Sequence, residues 1–417
     1  MSLDHCTREN LINIQNTKLK RLLQYAANHC EYYRQCVSKY EIDLCSNDLL
    51  DELKKWPILT KDLIRKNYPA ITSDDRSKFK RVREIATGGS TGKPIRVLID
   101  KLDYNMGYLA QKRQYERIGW KGGDSVHRLW GASIDIGGQF VETLKWLLLN
   151  ERTTNVFAFK TADYQKTLVR LRKKPADYLM GYKSALIELV NCIEESGQPL
   201  AAVKSVMVCA EPFFSWERVR MEHWLGCKVY AQYGSREIGA IGCECKQQEG
   251  YHLNEDNVFV EILDDNDQPT TTGNITVTKL NNYLMPLIRY QIGDIGTLEQ
   301  YHCRCGLPSR RLMSVDGRKA SMVLLKNGKK IPTLFFPHTF KDYPWIIQYQ
   351  IEQVERNFIK IYFKRKEEMW SKNSEDQLTC TVKKYLGTNM SIRYQYVENF
   401  TKVPTGKHEF FVSKITH

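Results

Sequence analysis

Apolar positions recur at helical spacing over residues 8 to 40, as in LINIQNTKLKRLLQYA, which predicts amphipathic helices at the amino terminus. WPILTKDLIRKNY then reads as a proline break followed by a helix capped at Thr60. From about 104 to 313 the texture changes. Short apolar runs (SVHRLWGA, TNVFAF, DYLMGY, SVMVCAE, KVYAQYG) alternate with helical stretches through FVETLKWLLL, ADYQKTLVRLR, SALIELVNCIEE and SWERVRMEHWLG. Strands separated by helices predict an α/β domain with mainly parallel sheets. VFVEILD, NITVTKL and RYQIGDIGTL add a β subdomain, and QYQIEQ, NFIKIYFKR, LTCTVKKYL and IRYQYV predict a small, mobile α+β unit at the carboxyl end. The expected division is 1–316 for the large domain and 317–417 for the small one.

Length and composition agree with two domains, because 417 residues exceed what one hydrophobic core usually serves. The opening MSLDHCTREN lacks the basic-then-apolar order of a secretory leader, and the greasy run LKWLLL at 144–149 is too short to span a bilayer, so the expectation is a cytoplasmic chain with no transmembrane segment. The net charge of +14 raises the possibility of a nucleic-acid partner. About +9 of it sits in residues 317–417, which hold 18 Lys and Arg against 9 Asp and Glu. No RNA-recognition signature, zinc-finger spacing or basic helix with interleaved aromatics accompanies it, so no nucleic-acid partner is expected. Oligomeric state is not legible.

Residues 83–97, REIATGGSTGKPIRV, fit several chemistries at first sight. GGSTG matches the hydrolase nucleophile elbow, but Pro94 and the strand-like PIRVLID occupy the place where the elbow's helix belongs. A Walker A loop needs glycine where Thr87 stands, a hydroxyl residue where Pro94 stands, and a helix next. What remains is a loop between two strands carrying Gly88, Gly89, Gly92, Ser90, Thr91 and Lys93. Glycines allow close backbone approach, hydroxyls donate to phosphate oxygens and lysine adds charge, so the loop suits a triphosphate; a plain glycine turn is the alternative.

Four further segments lie in order behind this loop: YGSREIG at 233–239, IRYQIGDIG at 288–296, DGR at 316–318 and PTGK at 404–407. Together with ATGGSTGKP they resemble the signature motifs of the adenylate-forming ligases. LLQYAANHCEYYRQC, WPILTKDLI, KPADYLMGYKSAL, VCAEPF and the cysteines after YGSRE narrow the resemblance to the phenylacetate-CoA ligase family and its capsule-biosynthesis and coenzyme F390 synthetase-like branch.

The resemblance implies an enzyme that joins a small-molecule carboxylate to ATP, releasing pyrophosphate, and passes the acyl group from acyl-AMP to an acceptor. That acceptor is a sugar amine or hydroxyl in polysaccharide biosynthesis, or coenzyme A, with an aryl- or acyl-CoA synthetase as the alternative. A non-catalytic member is the distant alternative. It also implies roles. Thr87, Gly88, Gly89, Ser90, Thr91, Gly92 and Lys93 hold the outer phosphates. Glu237 ligates Mg²⁺, for which a hard carboxylate suits a hard cation. Asp294 accepts from the ribose hydroxyls. Ala210, Glu211 and Pro212 line the adenine pocket with Tyr233 as a flat stacking surface, Gly234 and Ser235 belong to the ATP site, and Arg289 and Arg318 contact phosphate or ribose. Lys407 enters the site to neutralise the reacting carboxylate and α-phosphate. The acid pocket is expected from WGASIDIGG at 130–138 and GYKS at 181–184, which do not name the acid. Two departures stand out: Arg236 replaces the usual Thr or Ser before the glutamate, and Ala320 and Ser321 replace an aspartate pair at the hinge.

Twelve cysteines in a chain of this length, mostly among apolar residues, argue for buried thiols rather than a disulfide framework. GCEC at 242–245 and HCRCG at 302–306 differ, because with His252 they offer five soft ligands for one tetrahedral Zn²⁺. The family branch suggests Cys245, His252, Cys303 and Cys305, leaving Cys243 spare. Such a site would be structural, since four protein ligands leave no open position.

Overall fold

The structure is a computed structural model and describes residues 3–46, 48–86, 94–131, 148–156, 159–200, 203–299, 303–318, 322–333, 335–340, 342–398, 400 and 411–415. The helix Arg8–His29 begins where Thr7 accepts from the Asn10 N–H, and it buries Leu11, Leu19, Leu22, Leu23 and Ala26 along one stripe. Thr60 caps Lys61–Lys66 in the same way, as its position after the proline break implies. These helices share a core with Val258, Ile275 and Val277 of the main sheet, so they are part of the large domain's packing.

The strands β1 (Arg83–Ala86) and β2 (Arg96–Ile99) form the expected antiparallel hairpin. Its tip, with Thr87, Gly88, Gly89, Ser90, Thr91, Gly92 and Lys93, lies outside the described residues.

Eleven strands make the main sheet. In one half β3 (Val126–Trp130), β4 (Glu151–Asn155), β5 (Tyr178–Tyr182), β6 (Ser205–Cys209) and β7 (Lys228–Ser235) run parallel in the order β4-β3-β5-β6-β7. Thr161–Lys173, Lys183–Glu195 and Ser215–Leu225 are their crossover helices. In the other half β8 (Gly239–Cys243), β9 (Tyr251–Leu253), β10 (Val258–Leu263), β11 (Thr272–Lys279), β12 (Tyr290–Glu299) and β13 (Arg311–Arg318) are antiparallel, in the order β8-β9-β13-β12-β11-β10. The β texture read from the sequence therefore continues the parallel sheet instead of standing apart from it. Among the described residues the sheet's connections from β7 to β13 contain no helix, and without a crossover the chain returns antiparallel. The halves meet where β7 pairs with β8, Gln232 opposite Cys243, and the short β9 then joins β8 to β13: His252 pairs with Cys243 on one side and Arg311 on the other.

In the small unit β14 (Met322–Leu324) and β15 (Lys330–Pro332) form a hairpin. β16 (Ile346–Glu355), β17 (Phe358–Arg365), β18 (Ser391–Tyr396) and β19 (Phe411–Ser413) form a sheet in the order β18-β17-β16-β19. Ile351, Ile359, Ile361 and Phe363 alternate along one face and pack on Leu378 and Val382 of the helix Lys372–Leu386. The expected boundary after residue 316 falls inside β13, where Arg318 stands opposite Asp294. A salt bridge joins the small unit to the large one, from Lys366 Nζ to Glu194 Oε1 at 2.8 Å, and Arg220 also binds Glu194. No helix among the described residues is long and apolar enough to cross a membrane.

Ile361 is fully buried in the small unit's core, so Ile361→Ala should cost about 2–5 kcal/mol in urea unfolding of that unit. Lys364→Ala on the same strand should stay within about 0.5 kcal/mol. Equal losses from the two would contradict this core assignment.

Candidate active site

The C-terminal ends of the parallel strands are where α/β sheets bind ligands, and Ala210, Glu211 and Pro212 follow β6 while Tyr233, Gly234 and Ser235 end β7 there. β7 ends in Gly234 and Ser235, and the chain turns through Arg236, Glu237 and Ile238 into β8. Glycine is required at 234, since a Cβ there would lie 2.4 Å from the Gly239 carbonyl oxygen. The Ser235 hydroxyl accepts from the Ile238 N–H at 3.2 Å and closes the turn. Glu237 is therefore held on a narrow bend and is only 5% exposed.

Two tyrosines tie this bend to the IRYQIGDIG motif. The Tyr290 hydroxyl donates to Glu237 Oε1 at 2.8 Å, and the Tyr233 hydroxyl donates to Asp294 Oδ2 at 2.8 Å. Burial foremost, then the neighbouring Asp294 and Glu237, holds the Tyr233 hydroxyl protonated well above the usual tyrosine range, so it remains a donor at neutral pH. Glu237 and Asp294, expected from separate motifs, thus form one constellation. Tyr233, expected as a stacking surface, is 8% exposed, and its hydroxyl contact is with Asp294.

The ends of the next strands complete the cleft. After β6 the backbone bends sharply at Ala210, whose φ is +70, and delivers Glu211 and Pro212. Glu211 Oε1 accepts from the Ser184 hydroxyl at 2.8 Å, just past the end of β5. Trp130 and Tyr182, at the ends of β3 and β5, place their rings 4.6 Å apart, and Lys183 pairs with Glu217 at 2.8 Å. Of the expected acid-pocket segments, GYKS lies here, while residues 132–138 lie outside the described residues.

Arg289 requires a correction. Its guanidinium is 3% exposed, pairs with Glu261 at 3.0 Å, and donates to the carbonyls of Lys54 and Trp56 at 2.7 and 2.8 Å. It fastens the amino-terminal helices to the sheet and is not part of a nucleotide-contacting set. Arg318 stands opposite Asp294 in the β12–β13 register, but its side chain, like Lys407, Ala320 and Ser321, lies outside the described residues.

Sequence reasoning missed one group. Lys279, at the end of β11, is 5% exposed and donates to Asp103 Oδ2 at 2.7 Å and to the Glu237 carbonyl at 3.2 Å. The available signal was a lysine closing the apolar alternation NITVTK, where a buried charge needs a buried partner.

A second cluster lies on the seam of the sheet. Cys245, His252, Cys303 and Cys305 bring one ligand atom each within 4.8 Å of one another. Cys245 Sγ is 3.8 Å from Cys303 Sγ, and Cys305 Sγ is 3.3 Å from His252 Nε2. A tetrahedral zinc with sulfur at about 2.3 Å sets ligand separations of about 3.5–3.8 Å, which these distances approach. The Ser309 hydroxyl sits on His252 Nδ1 at 3.1 Å and leaves Nε2 toward the thiols. Burial first, then Arg117 and Arg311, holds the imidazole down at about 4, so it is neutral at physiological pH. Backbone N–H groups of Gln247, Cys305 and Leu307 donate to Cys245, Cys303 and Cys305 sulfurs at 3.4–3.5 Å. Cys243 stands apart, with Arg117 Nη1 3.9 Å from its sulfur.

Residues 323–414 match the family model described as the CapK C-terminal domain. The chain is 27% identical over 340 residues to the phenylacetate-coenzyme A ligase of Thermus thermophilus, covering 79% of this chain and 75% of the relative. Its fold matches the crystal structure of a 2-hydroxyisobutyryl-CoA ligase in the postadenylation state, complexed with an acyl-AMP, with a TM-score of 0.78 at 16% identity, covering 96% of this chain and 89% of the other. The same ligase in its thioesterification state, with acyl-AMP and CoA, matches with a TM-score of 0.66 at 18% identity, covering 98% and 91%.

The Gly234 contact predicts that Gly234→Ala lowers unfolding free energy by about 1–3 kcal/mol, because the β7–β8 register has to shift. Gly107→Ala is the control. Gly107 lies mid-helix with nothing within 4 Å of its would-be Cβ, and the change should stabilise by up to about 1 kcal/mol. Thermal and urea denaturation measure both.

Proposed function

We propose that this chain, which has the fold of the adenylate-forming ligases and is related in sequence to the phenylacetate-coenzyme A ligases, activates a carboxylic acid with ATP and transfers the acyl group to coenzyme A. The observation that carries the reading is the convergence of Glu237 and Asp294 through Tyr290 and Tyr233 at the end of the parallel strands. Each carboxylate is held by a tyrosine from the other's motif, and one cation–nucleotide pair would use both.

In the first step a carboxylate oxygen attacks the α-phosphorus of ATP, the bond to the β-phosphate oxygen breaks, and pyrophosphate leaves. The transition state gathers negative charge, so electrostatic stabilisation dominates. Mg²⁺, which characteristically takes one or two protein carboxylates plus phosphate oxygens, fits Glu237, and when bound it neutralises phosphate charge. Asp294, with Oδ2 already accepting from Tyr233, keeps acceptor capacity for a ribose hydroxyl. Thr87, Ser90, Thr91 and Lys93, with the glycines between them, hold the outer phosphates. Ala210, Glu211 and Pro212 border the base, and Trp130, Tyr182 and Ser184 border the acid. Lys407 neutralises the carboxylate and α-phosphate. In the second step the thiol of coenzyme A attacks the acyl carbon, the acyl–phosphate bond breaks, and AMP leaves with the bonding pair.

A second acceptor, an amine or hydroxyl of a sugar in polysaccharide biosynthesis, is favoured by the match of residues 323–414 to the CapK C-terminal domain. Assaying wild-type product formation with coenzyme A against amino sugars separates the two. The thiol–imidazole cluster, on this reading, holds one structural zinc. A buried neutral imidazole and three sulfurs at tetrahedral spacing support it.

Pyrophosphate exchange with ATP, screened over aryl and aliphatic acids, should reveal at least one active acid; none at all would remove the proposal. Lys407→Ala should abolish that exchange yet leave the reaction of a supplied acyl-adenylate with coenzyme A largely intact, and equal loss of both would contradict its assigned step. Metal analysis of purified protein should find one zinc per chain, and His252→Ala should lose it and lower the melting temperature. Zinc-free protein with an unchanged melting temperature would rule the site out.

A further inference from the structure

Lys279 and Asp103 form a buried ion pair whose side chains are 6% and 2% exposed. They come from distant parts of the chain. Asp103 lies in the first turn of the helix Lys101–Arg117, where Asp100 accepts from its N–H, and Lys279 closes β11. Burying two charges costs several kcal/mol before their attraction is counted, and replacing such a pair by apolar residues is often neutral or stabilising. Fold stability alone is therefore a poor reason for this pair. Its third partner is more informative: the same ammonium donates to the main-chain carbonyl of Glu237.

We propose that Lys279 is the positioning residue for the Glu237 carboxylate, with Asp103 fixing the ammonium that clamps the Glu237 backbone. This rests on the proposed function. Glu237 is then held at two points, its carbonyl by Lys279 and its carboxylate by Tyr290. The two holds act on different freedoms: Tyr290 orients the carboxylate, while Lys279 stops the 236–238 turn from sliding toward or away from the nucleotide. The backbone of Lys279 is itself fixed, because its N–H donates to the Leu287 carbonyl and its neighbour Thr278 accepts from the Arg289 N–H. The clamp therefore ties Glu237 to the strand that leads into Tyr290 and Asp294. A metal ligand supported in this way keeps its reach without adjusting when the cation arrives.

The test uses the full chain and reads binding as well as turnover. Mn²⁺·ATP affinity is measured by the electron paramagnetic resonance of free Mn²⁺, alongside thermal midpoint and Mg²⁺-dependent pyrophosphate exchange. Lys279→Met should weaken Mn²⁺·ATP binding and raise the Mg²⁺ needed for half-maximal exchange by about 10-fold or more, as outer-shell changes typically do. It should also lower the midpoint, since Asp103 is left buried without its partner. The double variant Lys279→Met/Asp103→Leu should recover the midpoint but not the metal affinity. In a Glu237→Gln background, Lys279→Met should weaken binding little further, because its effect runs through Glu237. If the double variant recovers affinity together with midpoint, or if the Lys279 and Glu237 losses multiply independently, the pair is structural and the proposal falls. If the wild-type chain itself neither binds Mn²⁺·ATP nor exchanges pyrophosphate, the proposed function falls first and takes this inference with it.

Discussion

Everything at the candidate site depends on two carboxylates, Glu237 and Asp294, each being held by a tyrosine hydroxyl from the other's motif. Glu237 sits on a bend between β7 and β8, and Asp294 lies on β12, with β8, β9 and β13 between those strands in the sheet. Two tyrosine hydroxyls reach between them, each contributing a hydrogen bond to a carboxylate, the stronger kind at about 1.5–3 kcal/mol. Their direction matters as much as their strength. A tyrosine held protonated by burial can only stabilise the ionised acid beside it, and ionised oxygens are what a hard cation or a ribose hydroxyl requires.

This constraint explains which parts of the site were legible in the sequence. Gly234, Glu237 and Asp294 lie inside short motifs whose local geometry does much of the work, so their residue types and order announced them, whereas the hold of Tyr290 on Glu237 showed only in the fold. The cysteine pairs were legible for the same reason, with two close thiols in each of two turns and a histidine nearby. Arg289 was misread because a charge within a motif looks functional, whereas its partners, Glu261 and the carbonyls of Lys54 and Trp56, are set by tertiary packing. Lys279 was missed for the converse reason: its partner Asp103 is 176 residues away in sequence, and no local pattern joins them.

The fold shows a similar division. Capping at Thr7 and Thr60, the β1–β2 hairpin and the alternating strands and helices follow from periodicity and end signals. The fusion of parallel and antiparallel halves into one sheet does not, because it depends on which edge the β8–β9 segment joins. β9 is three residues long, and a strand so short supplies little register information of its own. The thiol–imidazole cluster sits at that junction, with His252 on β9, Cys245 just beyond β8, and Cys303 and Cys305 ahead of β13. The Cys245–Cys303 and Cys305–His252 contacts there bring the two turns together beside so brief a ladder.

The amino-terminal helices carry a consequence for biosynthesis. Gln15 donates to the Val258 carbonyl, Tyr33 to that of Pro286, and Arg8 pairs with Glu255, partners 243, 253 and 247 residues downstream. As the chain emerges from the ribosome, the apolar stripe of Arg8–His29 can meet Tyr33, Ile42 and Trp56 early, but its partners on the sheet, such as Val258 and Ile275, come only after most of the large domain has been translated. Closing such long loops is slow, and greasy surface exposed in the meantime invites association. Folding from the amino terminus can therefore begin among the helices but cannot finish their core until the sheet has been made.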